Sequence, residues 1–345
     1  MRLIGLLLAA LLAGCGAPPL YQQQAYVFGT LVEVSIYGEP AARAQAAAAS
    51  ILAEFDALHR QLHAWEPGPL DSLNTQLAQA PIAGTLPDGL APLLADAARL
   101  AEQSENLFNP AIGNLVRLWG FHDDSFAARL PPDDAVQAQV AARPRMSDVV
   151  LDGNRFRARN PAVRLDLGGY AKGYALDRAA ARLREAGVAN ALVNIGGNIR
   201  AFGQRGDRPW RVGIQHPRAG GALATLALHD GEAIGTSGDY QRFFELDGRR
   251  YCHLIDPRDG QPVRHTQAVT VIARVTSMQP SAGTLSDVAS KPVFIAGPTD
   301  WRRLASKMGV NEVLRIDADG RIELTRAMAA RLEWPDAPPP LRLVD

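Results

Sequence analysis

Asp287, Ser290 and Lys291 stand in the stretch SDVASKPVF at residues 286–294, an acid, a hydroxyl and a cation within an alanine-rich segment. A carboxylate and a hydroxyl are oxygen donors for a hard divalent cation, whereas an ammonium offers donors only and cannot ligate one. The glycine turn is a second candidate. Asp166-Leu167-Gly168-Gly169 ends a strand-like run and Lys172-Gly173 opens a helical one, so backbone N–H groups and an ammonium converge where a phosphate would sit. The spacing fits neither the Rossmann fingerprint nor the P-loop, so the stretch reads as a nucleotide site of another kind or as a plain tight turn. His253, just before Ile255-Asp256-Pro257, has an ordinary pKa suited to proton transfer and is also readable as a packed or surface histidine. Cys252 beside it invites a nucleophile-and-base reading. Neighbours on a strand point to opposite faces, however, which makes Cys252 a small buried thiol. Gly235-Thr236-Ser237-Gly238 supplies hydroxyl and amide donors, or a turn.

The elements that must position these residues are drawn from 345 residues, 47% apolar and 21% charged, enough to bury a sizeable core. Lys and Arg together number 36, as do Asp and Glu, and no basic run occurs, which argues against a nucleic-acid partner. The first 15 residues, MRLIGLLLAALLAGC, read as a secretory leader too short to remain as a spanning helix. Leu12-Ala13-Gly14-Cys15 resembles a lipobox, so the expected protein is a lipoprotein anchored through Cys15 and facing the periplasm, at the inner membrane. Cys252 then has no disulfide partner.

Residues 16–24 read as a polar tether, residues 25–335 as a single domain and 336–345 as a tail. AYVFGTLVEVSIYG, beginning at Ala25, alternates as a first strand. Residues 40–64 form an amphipathic helix with Ile51, Phe55 and Leu58 or Leu62 on one stripe, and a second helix is expected over 88–105. RLPPDDA reads as a loop, and the Asp-Gly step in VVLDGNRFRAR as a hairpin. From residue 165 to 203 the pattern is strand, glycine turn, helix closed by Gly187, strand and glycine turn. Further strands fall at WRVGIQHP, ATLALHD, GEAIGTSGDY, RFFELDGRRYCHLIDP and QAVTVIARV. This order predicts an α+β fold with a large, mostly antiparallel sheet and flanking helices.

FGT at 28–30, DSLN at 71–74, NLFNPAIGNLVRLWGF, LDLGGYAKGYALDRA, NIGGNIRAFG, TSGDYQRFFELDGRRYCHLIDPRDGQPV and SDVASKPVF together resemble the ApbE-type FAD:protein FMN transferases, from residue 28 to about 330. The resemblance implies a T-fold-like flavin transferase architecture. It implies Mg²⁺-dependent transfer of FMN from FAD, with release of AMP, to a threonine of a membrane or exported redox protein. Phe28 and Trp65 would flank the flavin nucleotide, and Leu107, Phe108 and Asn109 would line it. Asp166 and Lys172 would meet the adenosine and phosphate portion, and Ile255 would pack nearby. His253 would be the general base, and the metal would be held by Asp287, Ser290 and the Gly169 carbonyl. Two positions depart from the family pattern: Lys291 stands where a threonine ligand is expected, and Asn109 where an aspartate is usual. Lys291 lies either i,i+4 from Asp287 on a helix, paired with it, or turned outward by Pro292. A non-transferring FAD-binding lipoprotein and an FAD pyrophosphatase are the competing functions.

Overall fold

The alternating residues from Leu20 to Tyr37 build two strands, not one. Leu20–Val27 and Thr30–Tyr37 pair antiparallel in register Val27 with Thr30, joined by Phe28 and Gly29 at φ 56° and 67°. Two left-handed residues make the tight turn whose twist suits a hairpin, and a phenylalanine there carries none of the usual Asn-Gly signal. The expected tether is therefore partly strand: Gln22 and Gln24 donate across the pair to Ser35 (3.1 Å) and Glu33 (2.7 Å). The computed structural model describes residues 18–123, 127–276 and 281–344, so the leader and the expected lipid site at Cys15 lie outside the described residues.

Among the described residues the main sheet has nine strands that follow one another in chain order. After the first hairpin come Ala191–Ile195, Asn198–Phe202, Glu232–Gly238, Thr266–Arg274, Glu312–Asp317, Ile322–Thr325 and Leu341–Val344. All neighbours are antiparallel except the last pair. Leu341–Val344 was expected within a tail but pairs with Ile322–Thr325. The large, mostly antiparallel sheet with flanking helices is as expected. Thr266–Arg274 is buried at all but its last position, because both faces of the sheet are covered. A three-stranded sheet containing Trp210–Gln215 and Ala222–Leu228 covers one face around Trp210, Ile234, Ile272 and Leu314. Helices cover the other.

Helix Ala41–Leu62 buries Ile51, Phe55, Leu58 and Leu62 as its stripe predicts. Asp133–Ala142 is a helix that begins inside the expected RLPPDDA loop, with Asp133 and Asp134 in its first turn, where acids favour a helix N-terminus. Gly235-Thr236-Ser237-Gly238 is not a turn but part of the central strand Glu232–Gly238.

Two helices carry the candidate chemistry. Gly168–Glu185 and Ala282–Ala296 cross backbone to backbone at Gly173 and Gly283. A Cβ at Gly173 would come within 2.5 Å of the Gly283 carbonyl oxygen and 2.6 Å of Asp287 Cβ; one at Gly283 would lie 2.6 Å from the Gly173 carbonyl oxygen. Asp177 locks the crossing, its carboxylate accepting from the Gly283 N–H (2.9 Å), the Thr284 N–H (2.8 Å) and the Thr284 hydroxyl (2.7 Å). It thus satisfies N–H groups that a helix start leaves unpaired. Gly173→Ala and Gly283→Ala are each expected to destabilise the fold by about 1–3 kcal/mol or more through overpacking. Gly220→Ala, where a Cβ meets nothing within 4 Å, should leave the thermal midpoint unchanged.

Candidate active site

Helix Ala282–Ala296 runs through Pro292 without ending, and every residue of it except Lys291 is buried. Lys291 is accordingly one turn from Asp287. Its Nζ donates to Asp287 Oδ1 at 2.6 Å and to the Asp287 carbonyl at 2.8 Å. Of the two readings of Lys291, the ion pair holds and the outward path does not. Asp287 Oδ2 accepts from the Gly173 N–H at 2.8 Å, so both carboxylate oxygens are engaged. Ser290 Oγ donates to the Asp287 carbonyl (2.8 Å) and shares a hydrogen bond with Ser237 Oγ (2.7 Å). Gly169 gives Lys291 its space, since a Cβ there would sit 2.8 Å from Lys291 Cε.

The glycine turn is less open than its sequence suggests. Asp166 Oδ1 accepts the Gly168 N–H at 2.7 Å, and the N–H groups of Tyr170 and Ala171 donate to the Leu167 carbonyl. Lys172 on the same helix does reach the cavity. Burial lowers its pKa and neighbouring Lys291 and Arg242 add to this, while Asp287 opposes them.

His253 follows strand Arg249–Cys252, its N–H donating to the Arg242 carbonyl at 3.0 Å and its Nδ1 lying 3.2 Å from that same oxygen. Burial, then the charges of Arg242 and Lys172, with a further contribution from Lys291, hold it down at about 3. At neutral pH the ring is therefore uncharged and can accept a proton. Cys252 faces the other way, its thiol 3.4 Å from the Val263 carbonyl and pushed by burial up to about 12, which makes it inert.

These groups line one cavity of about 700 Å³, within the ~300–1,000 Å³ range of small-molecule sites. Phe28, Trp65, Leu107, Phe108, Asn109, Asp166, Gly169, Lys172, His253, Ile255, Asp287 and Lys291 all border it, as does Ser237, through which Ser290 is held. Its walls are aromatic: Phe28 packs against Phe55 and His59 at 6.0 and 5.6 Å, and Trp65 lies 5.4 Å from His122. The Arg164 guanidinium sits 4.5 Å over Trp65 and donates to Asp71 at 3.1 Å. Asn74 exchanges two hydrogen bonds with the Leu165 backbone, at 2.9 and 2.7 Å. The DSLN motif thus braces the segment that leads into the glycine turn, which is not the expected strand: only Arg164 makes an isolated bridge there, with Ile112. Asn109 is spent on structure, donating to the Pro144 carbonyl (2.9 Å) and accepting from the Ala111 N–H (3.0 Å).

Sequence reading missed Arg242, whose guanidinium donates to the carbonyls of Phe121 (3.1 Å) and Asp123 (2.8 Å) beside His253. No spacing signal links it to residue 253; pairing of the hairpin that spans Phe243–Cys252 does. A second hollow, bordered by Asn114, Arg117, Arg129 and Gln139, has no carboxylate in its lining and no comparable constellation.

Residues 28–314 match the profile of the ApbE family. The chain is 44% identical over 344 residues to a Rhodobacter capsulatus protein named FAD:protein FMN transferase, covering 99% of this chain and 64% of that protein. This chain therefore spans somewhat less than two thirds of that relative's length. A Klebsiella pneumoniae protein of the same name is 33% identical, with 82% of this chain and 80% of that protein aligned. The crystal structure of the ApbE protein from Thermotoga maritima superposes with a TM-score of 0.81 at 28% identity, covering 91% of this chain and 99% of that one.

Proposed function

With a match running from residue 28 to 314, the chain belongs to the ApbE family, and from that premise we propose that it transfers FMN from FAD to a threonine of a target protein. The observation that carries this reading is one cavity whose aromatic walls bring Lys172, Arg242 and the Asp287–Lys291 ion pair together with His253, uncharged at neutral pH. The flavin ring suits Phe28, Trp65 and Phe108. The diphosphate suits Lys172, Arg242 and the third N–H of Lys291. Ile255 closes the wall, and Asp166 anchors the glycine turn beneath the adenosine end.

In the transfer, the threonine oxygen forms a bond to the phosphorus on the flavin side of the diphosphate. The bond from that phosphorus to the bridging oxygen breaks, and AMP departs with the electron pair. His253 takes the hydroxyl proton, without which threonine is a poor nucleophile. Cations aimed at the bridging and non-bridging oxygens stabilise the charge that develops there. The diphosphate also offsets the positive field that holds His253 down, so substrate binding raises the basicity of the group that the reaction needs.

The donors expected for magnesium, Gly169, Asp287 and Ser290, do not fit that ion. Both Asp287 oxygens are taken, and an ammonium stands 2.6 Å from one of them. Among the described residues no three His, Cys, Asp or Glu side chains come together as a metal site. No step here passes through a metal.

The Leu12-Ala13-Gly14-Cys15 order supports a lipid tether at the periplasmic membrane surface and an exported or membrane-bound acceptor. The test is to mix the protein with FAD and an exported candidate acceptor domain, denature, and image the gel for flavin fluorescence. A fluorescent acceptor band, lost when the acceptor threonine is replaced, is expected. Intact bound FAD without a band would favour storage, and FMN with AMP but no band would favour a pyrophosphatase.

A further inference from the structure

The region expected to hold a divalent ion is built around Lys291. Magnesium takes about six oxygen donors near 2.1 Å in close to octahedral geometry. Here the single carboxylate is shared between the Lys291 ammonium and the Gly173 N–H, and the Ser290 hydroxyl is bound to the Asp287 carbonyl and to Ser237. The methylenes next to the ammonium lie against Gly169, where a Cβ would meet Cε at 2.8 Å and Cδ at 3.1 Å. Seating a hydrated metal there would mean displacing the Lys291 ammonium from both Asp287 oxygens that it holds and its methylenes from their place against Gly169.

We infer that Lys291 is the resident cation of this site, presenting a fixed ammonium to the diphosphate of FAD where a divalent ion would otherwise stand, so that substrate binding and transfer need no divalent metal. The inference rests on the transferase reading. An ammonium has three N–H donors. Two go to Asp287, which fixes Nζ in place, and the third is left for a phosphate oxygen on the cavity side, where Lys291 is 15% exposed. Lys172 and Arg242 border the same cavity, so three positive groups, one of them compensated by Asp287, face the diphosphate; Glu66 and Asp166 also line the cavity, Asp166 accepting the Gly168 N–H. As the threonine oxygen bonds to the flavin-side phosphorus and the bridging bond breaks, the electron pair collects on the AMP phosphate. Its charge is met by ammonium groups, and the proton leaves through His253.

The experiment titrates FAD into the full chain by calorimetry, once with excess chelator and once with magnesium, and counts bound Mn²⁺ by electron paramagnetic resonance. The expected result is a dissociation constant equal within about twofold in the two buffers and no stoichiometric Mn²⁺. Lys291→Thr should weaken FAD binding by about tenfold or more in chelator, and magnesium should restore it with one Mn²⁺ bound per chain. Lys291→Met should weaken binding equally, with no rescue by magnesium. Tight FAD binding by the unaltered chain only in magnesium, or one bound Mn²⁺, overturns the inference and leaves the transferase reading standing. Failure to bind FAD in either buffer overturns both.

Discussion

Asp287→Asn is expected to lose the proposed FMN transfer and, separately, about 3–5 kcal/mol of stability, the cost of leaving one member of a buried ion pair without its partner. The pair is well shielded, with the Asp287 side chain 2% exposed and that of Lys291 15%. Asparagine keeps the shape but not the charge. It leaves the ammonium uncompensated between two helices and removes one acceptor from either Nζ or the Gly173 N–H. Against a typical domain stability of about 5–15 kcal/mol, that is a large share, visible as a lower denaturant midpoint at unchanged slope. Adding Lys291→Met separates the two losses. With both charges gone, the double variant should regain most of the stability, because a neutral, volume-matched pair is often as good as a buried salt bridge. It should not regain transfer, since the fixed ammonium of residue 291 is gone and only Lys172 and Arg242 then face the diphosphate. A double variant as unstable as Asp287→Asn alone would mean that the pair is not what holds the two helices in register.

The residues that touch the cavity were legible because each announces itself by type within a short motif: Lys172 after a glycine turn, His253 at a strand end, Asp287 beside Lys291. What was not legible is how they meet. Helix Ala282–Ala296 is buried all round, so it shows no amphipathic stripe, and its Pro292 reads as a break. Its place depends on the Gly173–Gly283 contact and on Asp177, partners more than a hundred residues away. The first hairpin was hidden for a different reason. Leu20–Gln24 is polar because it is an edge strand, stabilised by cross-strand glutamine bonds rather than by burial. Leu341–Val344 follows the proline-rich run at 335–340, which reads as the start of a tail, and only its parallel partner Ile322–Thr325 makes it a strand.

His253→Gln is expected to lower the rate of FMN transfer by about 10²–10⁴-fold, the usual span for removing a general base, with FAD affinity kept within about threefold. Glutamine can keep a hydrogen bond to the Arg242 carbonyl, so the hairpin end stays in place while proton acceptance is lost. The pH dependence separates this role from simple packing. In the free protein His253 titrates at about 3, pushed down by burial and then by Arg242 and Lys172. A profile of kcat/KM for FAD reports the free enzyme, so its acid limb should lie well below the ordinary histidine value of about 6.5. The kcat profile reports the loaded enzyme, in which the diphosphate cancels part of that positive field, and its acid limb should lie higher. Stability follows the same group in a known direction. Between about pH 6.5 and 3 the unfolded chain binds a proton that the folded one does not, so the contribution present above 6.5 is lost as pH falls through that window. His253→Gln should flatten that part of the stability curve. Coincident acid limbs near 6.5 in both kinetic profiles, or a His253→Gln rate within about threefold of the unaltered enzyme, would remove His253 from the chemistry and leave the proton to another acceptor.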